Sequence, residues 1–453
     1  MTTLARKLRA TDYFTLGWGT MVGVGWLVIM DDWLTRGGAL GALLGFVVGG
    51  AVLLPIGWVY GKLVAAMPDA AGEVAYTGAA FSRRVSFATG WMMTLTYFIV
   101  CPWEAVAVGR IAGYIFPWLD SMELYRIGGR PVFFPRLIIG LALTALITVL
   151  NYRGVRLSAT FQNWTSFGTL ALFAVFVAAG VSRGSAANFP PLFTHSPLIS
   201  ILLVTQIVPY FMAGFESVGK AAEEASPEFR SRAFLLAIWM AILVAILFYA
   251  SIVAAVAFVA PWRQLLGEKF MTAVAFQRAV GARWVVNIIL AAALLSLFKC
   301  FNGNFVAASR LLFALGRRGM VHASLGTVHA KYQTPSAAVV CVGIATGACM
   351  LLGDAILVPI TEVGSVACAI GWSAACAACL ALDGRSEMIS LTAFERGAAI
   401  FGLLVGIAMT LMKLLPFVPG HFTAYEWLAL AVWIAIGATL HRSQRNGGEL
   451  HER

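Results

Sequence analysis

Long apolar runs are the feature of this sequence that most constrains its fold. A transmembrane helix needs about 20 mainly apolar residues, and a window of about 19 residues finds about twelve such runs. Hydrophobic residues make up 60% of the chain and charged residues only 12%, unlike the composition of soluble globular proteins. The sequence therefore predicts an all-α polytopic membrane protein. The predicted spans are 13–36, 39–66, 86–116, 134–151, 158–181, 197–222, 233–260, 284–315, 336–353, 357–382, 396–415 and 424–441.

The formal net charge of +11 is explained by topology and not by a nucleic-acid surface. Lysines and arginines lie in short loops between apolar runs, and cytoplasmic loops carry the excess of such residues. The richer side holds Arg6, Lys7, Arg9, Arg83, Arg84, Arg153, Arg156, Arg230, Arg232, Arg317, Arg318, Lys331, Arg385, Arg396, Arg442 and Arg445. The poorer side holds Arg126, Arg130, Arg183, Arg263, Lys269, Arg278 and Arg283. We expect a multi-pass protein of the cell (inner) membrane with both termini in the cytoplasm.

The first span contains four glycines within nine residues, at positions 17, 19, 23 and 25. Glycine costs roughly 1 kcal/mol in a helix interior relative to alanine, so this pattern argues against an unbroken helix. A broken helix survives in lipid only where it is buried in protein or lines a cavity. Its free N–H groups, at the positive end of a half-helix, would suit a carboxylate. The alternative is close helix packing through small residues.

The sixth span repeats this theme around Pro209 and Gly214. Proline removes a helical hydrogen bond, and the glycine loosens the following turn. Interrupted spans at corresponding positions of two halves are the best sequence indication of an inverted-repeat transporter and its binding site.

Five sequence blocks resemble, in order, motifs of the amino acid–polyamine–organocation (APC) superfamily of permeases. They are LGWGTMVGVGW, MPDAAGEVAYTGAAF, NYRGVRLSATFQN, GFESVGKAAEEASPEFRSRAF and FNGNFVAASRLLFALGRRGM. The resemblance covers residues 10 to about 340, whereas the last two spans match only in hydropathy. It implies a five-plus-five inverted repeat with broken helices 1 and 6, plus two extra C-terminal helices. The corresponding divisions are 1–181, 182–382 and 383–453.

The resemblance also implies alternating access around a central site at the two breaks. The substrate carboxylate would rest on backbone N–H groups of Val22, Gly23, Val24 and Gly25. The substrate amine would face carbonyl groups of Thr20, Met21, Tyr210, Phe211 and Ala213, with Gly214 in the same break. The Tyr210 ring would cover the pocket in the occluded state.

Two ionisable residues lie deep within predicted spans, where a charge costs about 3 kcal/mol or more. Lys299, in the eighth span, could replace a sodium ion and couple or gate transport through its deprotonation. The alternative is a snorkelling or ion-paired lysine. Glu104, in the third span, could bind the substrate amine or pair with Lys299.

Three further acidic residues are candidates for coupling or gating. Glu216 follows the sixth-span break, and its alternatives are helix capping or a buried pair. Asp31 and Asp32 point about 100° apart on a helix, so at most one of them faces the pathway. Arg36, four residues after Asp32, offers a simple helical ion pair instead.

These features together predict a secondary active transporter that imports amino acids or related amines, with proton coupling favoured over sodium coupling. The alternatives are a permease for an amine lacking a carboxylate, such as ethanolamine or a polyamine, an amino-acid exchanger, and a non-transporting sensor or complex subunit. No Walker, H-E-x-x-H or G-x-S-x-G motif is present, so an enzyme is not expected. The expected partners are a small-molecule substrate, the proton and the lipid bilayer, without nucleic acid, cofactor or metal.

Overall fold

The computed structural model describes residues 4, 6–268, 270–281, 283–385 and 389–451, and most of them are helical. The helices of the first part are α1 (Ala10–Met21), α2 (Gly25–Val28), α3 (Met30–Ala66), α4 (Glu73–Ala80), α5 (Arg83–Phe98), α6 (Val100–Ile115), α7 (Phe134–Arg153) and α8 (Val155–Arg183). Those that follow are α9 (Pro197–Thr205), α10 (Val208–Met212), α11 (Ser217–Lys220), α12 (Arg232–Val259), α13 (Met271–Val280), α14 (Arg283–Arg317), α15 (Ser336–Cys349), α16 (Leu357–Leu382), α17 (Ala393–Leu414) and α18 (Ala424–His451). Short 3₁₀ helices cover Pro117–Leu119, Ala186–Asn188, Ala222–Glu224, Trp262–Leu265, Ala323–Gly326 and Met350–Ile356.

Within the described residues, ten helices are long and apolar enough to cross a membrane. The first and sixth predicted spans are missing from these ten because each is divided into short helical pieces. Gly38, with a φ of 70°, marks the point within α3 where the first span gives way to the second. Ten continuous spans and two interrupted ones therefore confirm the predicted all-α polytopic architecture with broken helices 1 and 6.

A row of glycines lets α3 approach α9 and α10 closely. A Cβ atom at Gly45 would lie 2.6 Å from Val204 Cβ, and one at Gly49 would lie 2.7 Å from Val208 Cγ2. Gly41, one turn earlier on α3, also faces α9, where a Cβ atom would lie 2.9 Å from Ser200 Cβ. Small residues at four-residue spacing are the usual means of close helix packing in membranes. This contact fixes the second span against the interrupted sixth span and so supports the site.

Two elements lie between predicted spans, where hydropathy carries no signal for them. Strands β1 (Glu123–Ile127) and β2 (Arg130–Phe133) form an antiparallel hairpin after α6. Gly128 and Gly129 connect them with φ values of 56° and 75°, as a tight hairpin turn requires. Helix α13 lies between the seventh and eighth spans and packs its apolar face against α14.

The close contact of α3 with α9 gives a prediction for Gly45→Leu. Inserting this side chain against Val204 overpacks the interface, which typically costs about 1–3 kcal/mol. We expect a lower melting temperature for the purified protein in detergent. Val48→Leu on the same helix is the control because Val48 is 44% exposed. Equal melting temperatures for the two variants would contradict the packing argument.

Candidate functional site

The two interrupted spans break next to each other. Helix α1 ends at Met21, and regular helix resumes at Gly25 after three non-helical residues. In the sixth span, α10 ends at Met212 and α11 begins at Ser217. Gly214, between these helices, has a φ of 134°, and a Cβ atom there would lie 2.7 Å from Met21 N. The absence of a side chain at Gly214 thus allows the two breaks to touch.

Side chains of neighbouring helices hydrogen-bond to the carbonyl groups that the breaks release. The Tyr249 hydroxyl of α12 lies 3.0 Å from Met21 O and 3.1 Å from Phe211 O, so it links both breaks. Asn304 of α14 donates from Nδ2 to Thr20 O at 3.0 Å. Three of the carbonyl groups predicted to face a substrate amine therefore already have partners within the protein.

Lys299 and Ser296 bind the first break from α14. The Lys299 ammonium donates to Val22 O and lies 4.3 Å from the centre of the Trp18 ring. Ser296 Oγ lies 2.7 Å from Gly23 O and 3.1 Å from Val22 O. Lys299 is completely buried. A cation and a hydroxyl therefore fill the carbonyl end of this break.

Glu104 of α6 lies on the N–H end of the same break. Its Oε1 accepts a hydrogen bond from Val24 N at 3.4 Å, and it covers the Cα of Gly23. The side chain is buried, and Oε2 has no hydrogen-bond partner among the described residues. No ion pair joins Glu104 to Lys299 in the described part of the chain, because the ammonium points at the Val22 carbonyl instead.

The Val22 N–H donates to Trp18 O at 3.1 Å and so continues the hydrogen bonding of α1. Of the four N–H groups that the sequence predicted for an anion, those of Gly23, Val24 and Gly25 are then left at the break. Gly25 opens α2, and the first N–H groups of a helix have no partner within it. The N–H groups available to an anion are thus fewer than the sequence predicted.

A narrow cavity of about 20 Å³ lies between the two breaks. It is lined by Thr20, Met21, Gly23, Gly25, Val100, Trp103, Glu104, Tyr210, Phe211 and Cys300. The other predicted substrate-binding residues, Val22, Val24, Ala213 and Gly214, belong to the breaks but do not line it. The Tyr210 hydroxyl is buried and has no partner among the described residues. Glu104 Oε2 and the Tyr210 hydroxyl are therefore two polar atoms at this cavity without a hydrogen-bond partner among the described residues.

A buried ion pair lies on the N-terminal side of the cavity. Lys220, at the end of α11, donates to Glu73 of α4 at 2.5 Å, and the Tyr60 hydroxyl donates to the same carboxylate at 2.7 Å. One turn further, Arg310 donates to Glu224 at 2.9 Å, also out of solvent. Sequence reasoning did not single out Glu73, Lys220 or Arg310, although all three lie within the quoted motif blocks.

Glu216 spans the second break itself. Its Oε2 accepts the Gly214 N–H at 3.0 Å, and Oε1 has no partner among the described residues. This local hydrogen bond agrees with the capping alternative. A gating role for Glu216 stays a prediction.

On the opposite side, Arg36 connects the first span to α16. It pairs with Asp32 at 2.8 Å, as the helical spacing predicted, and with Glu362 at 3.1 Å. Lys413 of α17 donates to the other oxygen of Glu362. Asp31 lies at the start of α3 and is half-buried, and its role stays a prediction. Glu362 and Lys413 lie within predicted spans, so the rule that singled out Lys299 would also have found them.

Comparison with known proteins agrees with this architecture. The family model described as amino acid permease matches residues 10–439. The branched-chain amino acid permease BcaP of Bacillus subtilis is 26% identical over 80% of this chain and 77% of its own length. The methylthioribose transporter of the same organism is 24% identical over 97% and 93%. A probable GABA permease of Pseudomonas aeruginosa is 24% identical over 70% and 66%.

The contact of Gly25 with Phe211 gives a prediction for the site. A Cβ atom at Gly25 would lie 2.6 Å from Phe211 Cε1, so Gly25→Val pushes this ring into the cavity. Overpacking costs about 1–3 kcal/mol, and we expect ligand binding to weaken by about tenfold or more. The measurement is ligand-induced thermal stabilisation of the purified protein.

Gly397→Val is the matched control because a Cβ atom there meets no atom within 4 Å. Both variants should insert into the membrane in wild-type amounts. Unchanged ligand binding by Gly25→Val would show that the space beside this glycine is not used by a ligand.

Proposed function

Because this chain belongs to the amino acid permease family, within the APC superfamily, we propose that it is a secondary active transporter that imports amino acids or related amines by alternating access. It is a permease and not an enzyme. The observation that carries the proposal is the narrow cavity between two adjacent helix breaks. A structural subunit gains nothing from such breaks, whereas a transporter uses them to bind its solute.

Closed networks on both sides of the cavity support alternating access. The Glu73–Lys220 pair lies toward the N-terminus, and the Arg36–Glu362 pair lies on the opposite side. In the proposed cycle each network opens in turn while the other stays closed. Glu216 takes part on the first side and Asp32 on the second, and Asp31 attracts cationic solutes from outside. The charge distribution of the loops supports a cytoplasmic location for both termini.

Lys299 is proposed as the site of proton coupling. In transporters with broken helices, unwound carbonyl groups and the C-terminal ends of half-helices bind the coupling cation. Here the ammonium of Lys299 donates to Val22 O, just after α1, and the Ser296 hydroxyl donates to Gly23 O. Protonated Lys299 holds α14 to the first break, and loss of the proton releases this contact. A sodium ion would have to displace the ammonium, which favours proton coupling.

Membership of the family leaves the identity of the solute open. One relative is a methylthioribose transporter, and others are permeases of amino acids. A thermal-shift screen of amino acids and amines on the purified protein tests the proposed solute classes, because a ligand stabilises the fold that binds it. No stabilisation and no uptake by any of them would reject the proposal.

The proposed role of Lys299 predicts that Lys299→Gln separates uptake from the proton gradient. Glutamine keeps a donor for Val22 O but cannot take up or release a proton at neutral pH. In sealed proteoliposomes, the wild type should accumulate solute when the outside is acidic and should not need sodium. The variant should equilibrate the solute without responding to the pH difference.

The control is Lys62→Gln, which removes a lysine that pairs with Glu395 far from the breaks. This variant should keep the wild-type pH response. An unchanged pH response in Lys299→Gln would reject the coupling role, and strict sodium dependence of the wild type would reject proton coupling.

A further inference from the structure

We infer that the Glu104 carboxylate occupies the anion-binding end of the first break, so that the solute is a small amine without a carboxylate of its own. The inference rests on the proposed transport function and narrows it to one substrate class. It starts from the position of Glu104, whose Oε1 accepts the Val24 N–H at 3.4 Å.

Glu104 and Phe211 limit the access of a solute to the N–H groups of the first break. The free N–H groups at the start of a half-helix carry partial positive charge and favour an anion. A Cβ atom at Gly23 would collide with Glu104 Oε1, and one at Gly25 would lie 2.6 Å from Phe211 Cε1. The surfaces of Gly23 and Gly25 that face the cavity are therefore covered by a carboxylate and a ring. A solute carboxylate would therefore have to displace Glu104 to reach the N–H groups of the first break.

Glu104 is the acidic side chain among the described lining residues of the cavity. Glu104 forms no ion pair within the described residues, its Oε2 has no hydrogen-bond partner, and the Lys299 ammonium attracts it only from beyond ion-pair distance. A buried carboxylate without a cationic partner is costly, and an ammonium group removes this cost. A second carboxylate in the same cavity would instead add repulsion between like charges at low dielectric. The cavity thus favours a cation over a zwitterion.

The other walls of the cavity are mostly apolar. Val100, Trp103 and Met21 give it apolar walls, and the Trp103 indole donates to Leu357 O at 2.9 Å, which fixes the ring. The Tyr210 hydroxyl adds one polar group without a partner. The described lining holds no second acidic side chain. The class that fits is a primary amine with a short apolar or hydroxylated tail.

The experiment compares pairs of compounds that differ only in a carboxylate. The pairs are isoamylamine with leucine, ethanolamine with serine, and cadaverine with lysine. Each compound is tested on the purified full-length protein by thermal shift and as a competitor of uptake in proteoliposomes. We expect the amine of at least the first two pairs to stabilise the wild type, and its carboxylated partner to bind at least tenfold more weakly.

Two variants test whether Glu104 causes the preference. Glu104→Gln keeps the shape of the side chain but removes its charge, and amine affinity should fall by about 30-fold or more. Glu104→Ala empties the anion-binding end, so leucine or serine should gain affinity relative to the amine. Glu395→Gln is the control, because this carboxylate lies at the start of α17, where glutamine keeps the capping contact with Thr392 and only the partly exposed pair with Lys62 is lost.

The possible outcomes separate the inference from the transport proposal. Amino acids that bind the wild type more tightly than their amines would overturn the inference and leave the transport function intact. Glu104 variants that fold and keep the wild-type preference would overturn it as well. No stabilisation and no uptake with any of the six compounds would reject the transport proposal itself.

Discussion

The peptide groups of the two breaks must find hydrogen-bond partners inside the membrane, and the rest of the site depends on this constraint. No water is present in the hydrocarbon to bind a free carbonyl or N–H group. Other helices supply the partners here: Tyr249 contacts a carbonyl group of each break, and Asn304 and Ser296 bind carbonyl groups of the first. The breaks are thus stable only within the assembled bundle. The cavity between them is a consequence of that assembly, and the sequence of the broken spans alone does not determine it.

The positions of Glu104 and Lys299 follow from the same constraint. The C-terminal end of a half-helix carries partial negative charge, and the N-terminal end carries partial positive charge. The Lys299 ammonium binds the carbonyl group of Val22, just after α1, and the Glu104 carboxylate accepts the Val24 N–H at the start of α2. Each charged group therefore bonds to a backbone group of one break, and the two side chains form no ion pair within the described residues. This division leaves one carboxylate oxygen free to face the cavity.

The sequence predicted those parts of the site that have a signal in the nearby residues. Glycine and proline marked both breaks, and burial of a charge in an apolar run marked Lys299 and Glu104. It did not reach Tyr249, a tyrosine in an apolar helix, because nothing near it in sequence tells which carbonyl it meets. The suggested Glu104–Lys299 pair is not formed in the described residues, because the backbone of the break competes for both charges. The β1–β2 hairpin and α13 were also beyond a hydropathy pattern, which distinguishes only spans from connections.

The two ion-pair networks on either side of the cavity differ in how deeply they are buried. The side chains of Lys220 and Glu73 are 1% and 0% exposed. Removing one partner of such a pair leaves an uncompensated buried charge, which costs about 3–5 kcal/mol. On the opposite side, Arg36 and Glu362 are 18% and 11% exposed, and Arg36 also pairs with Asp32, which is 33% exposed, so this network is less deeply buried. Separating the Arg36 contacts therefore costs less, because water solvates the released groups. In the proposed transport cycle, we therefore expect the side away from the N-terminus to open more readily, and we expect a solute that replaces lost contacts to bind before the buried Glu73–Lys220 pair separates.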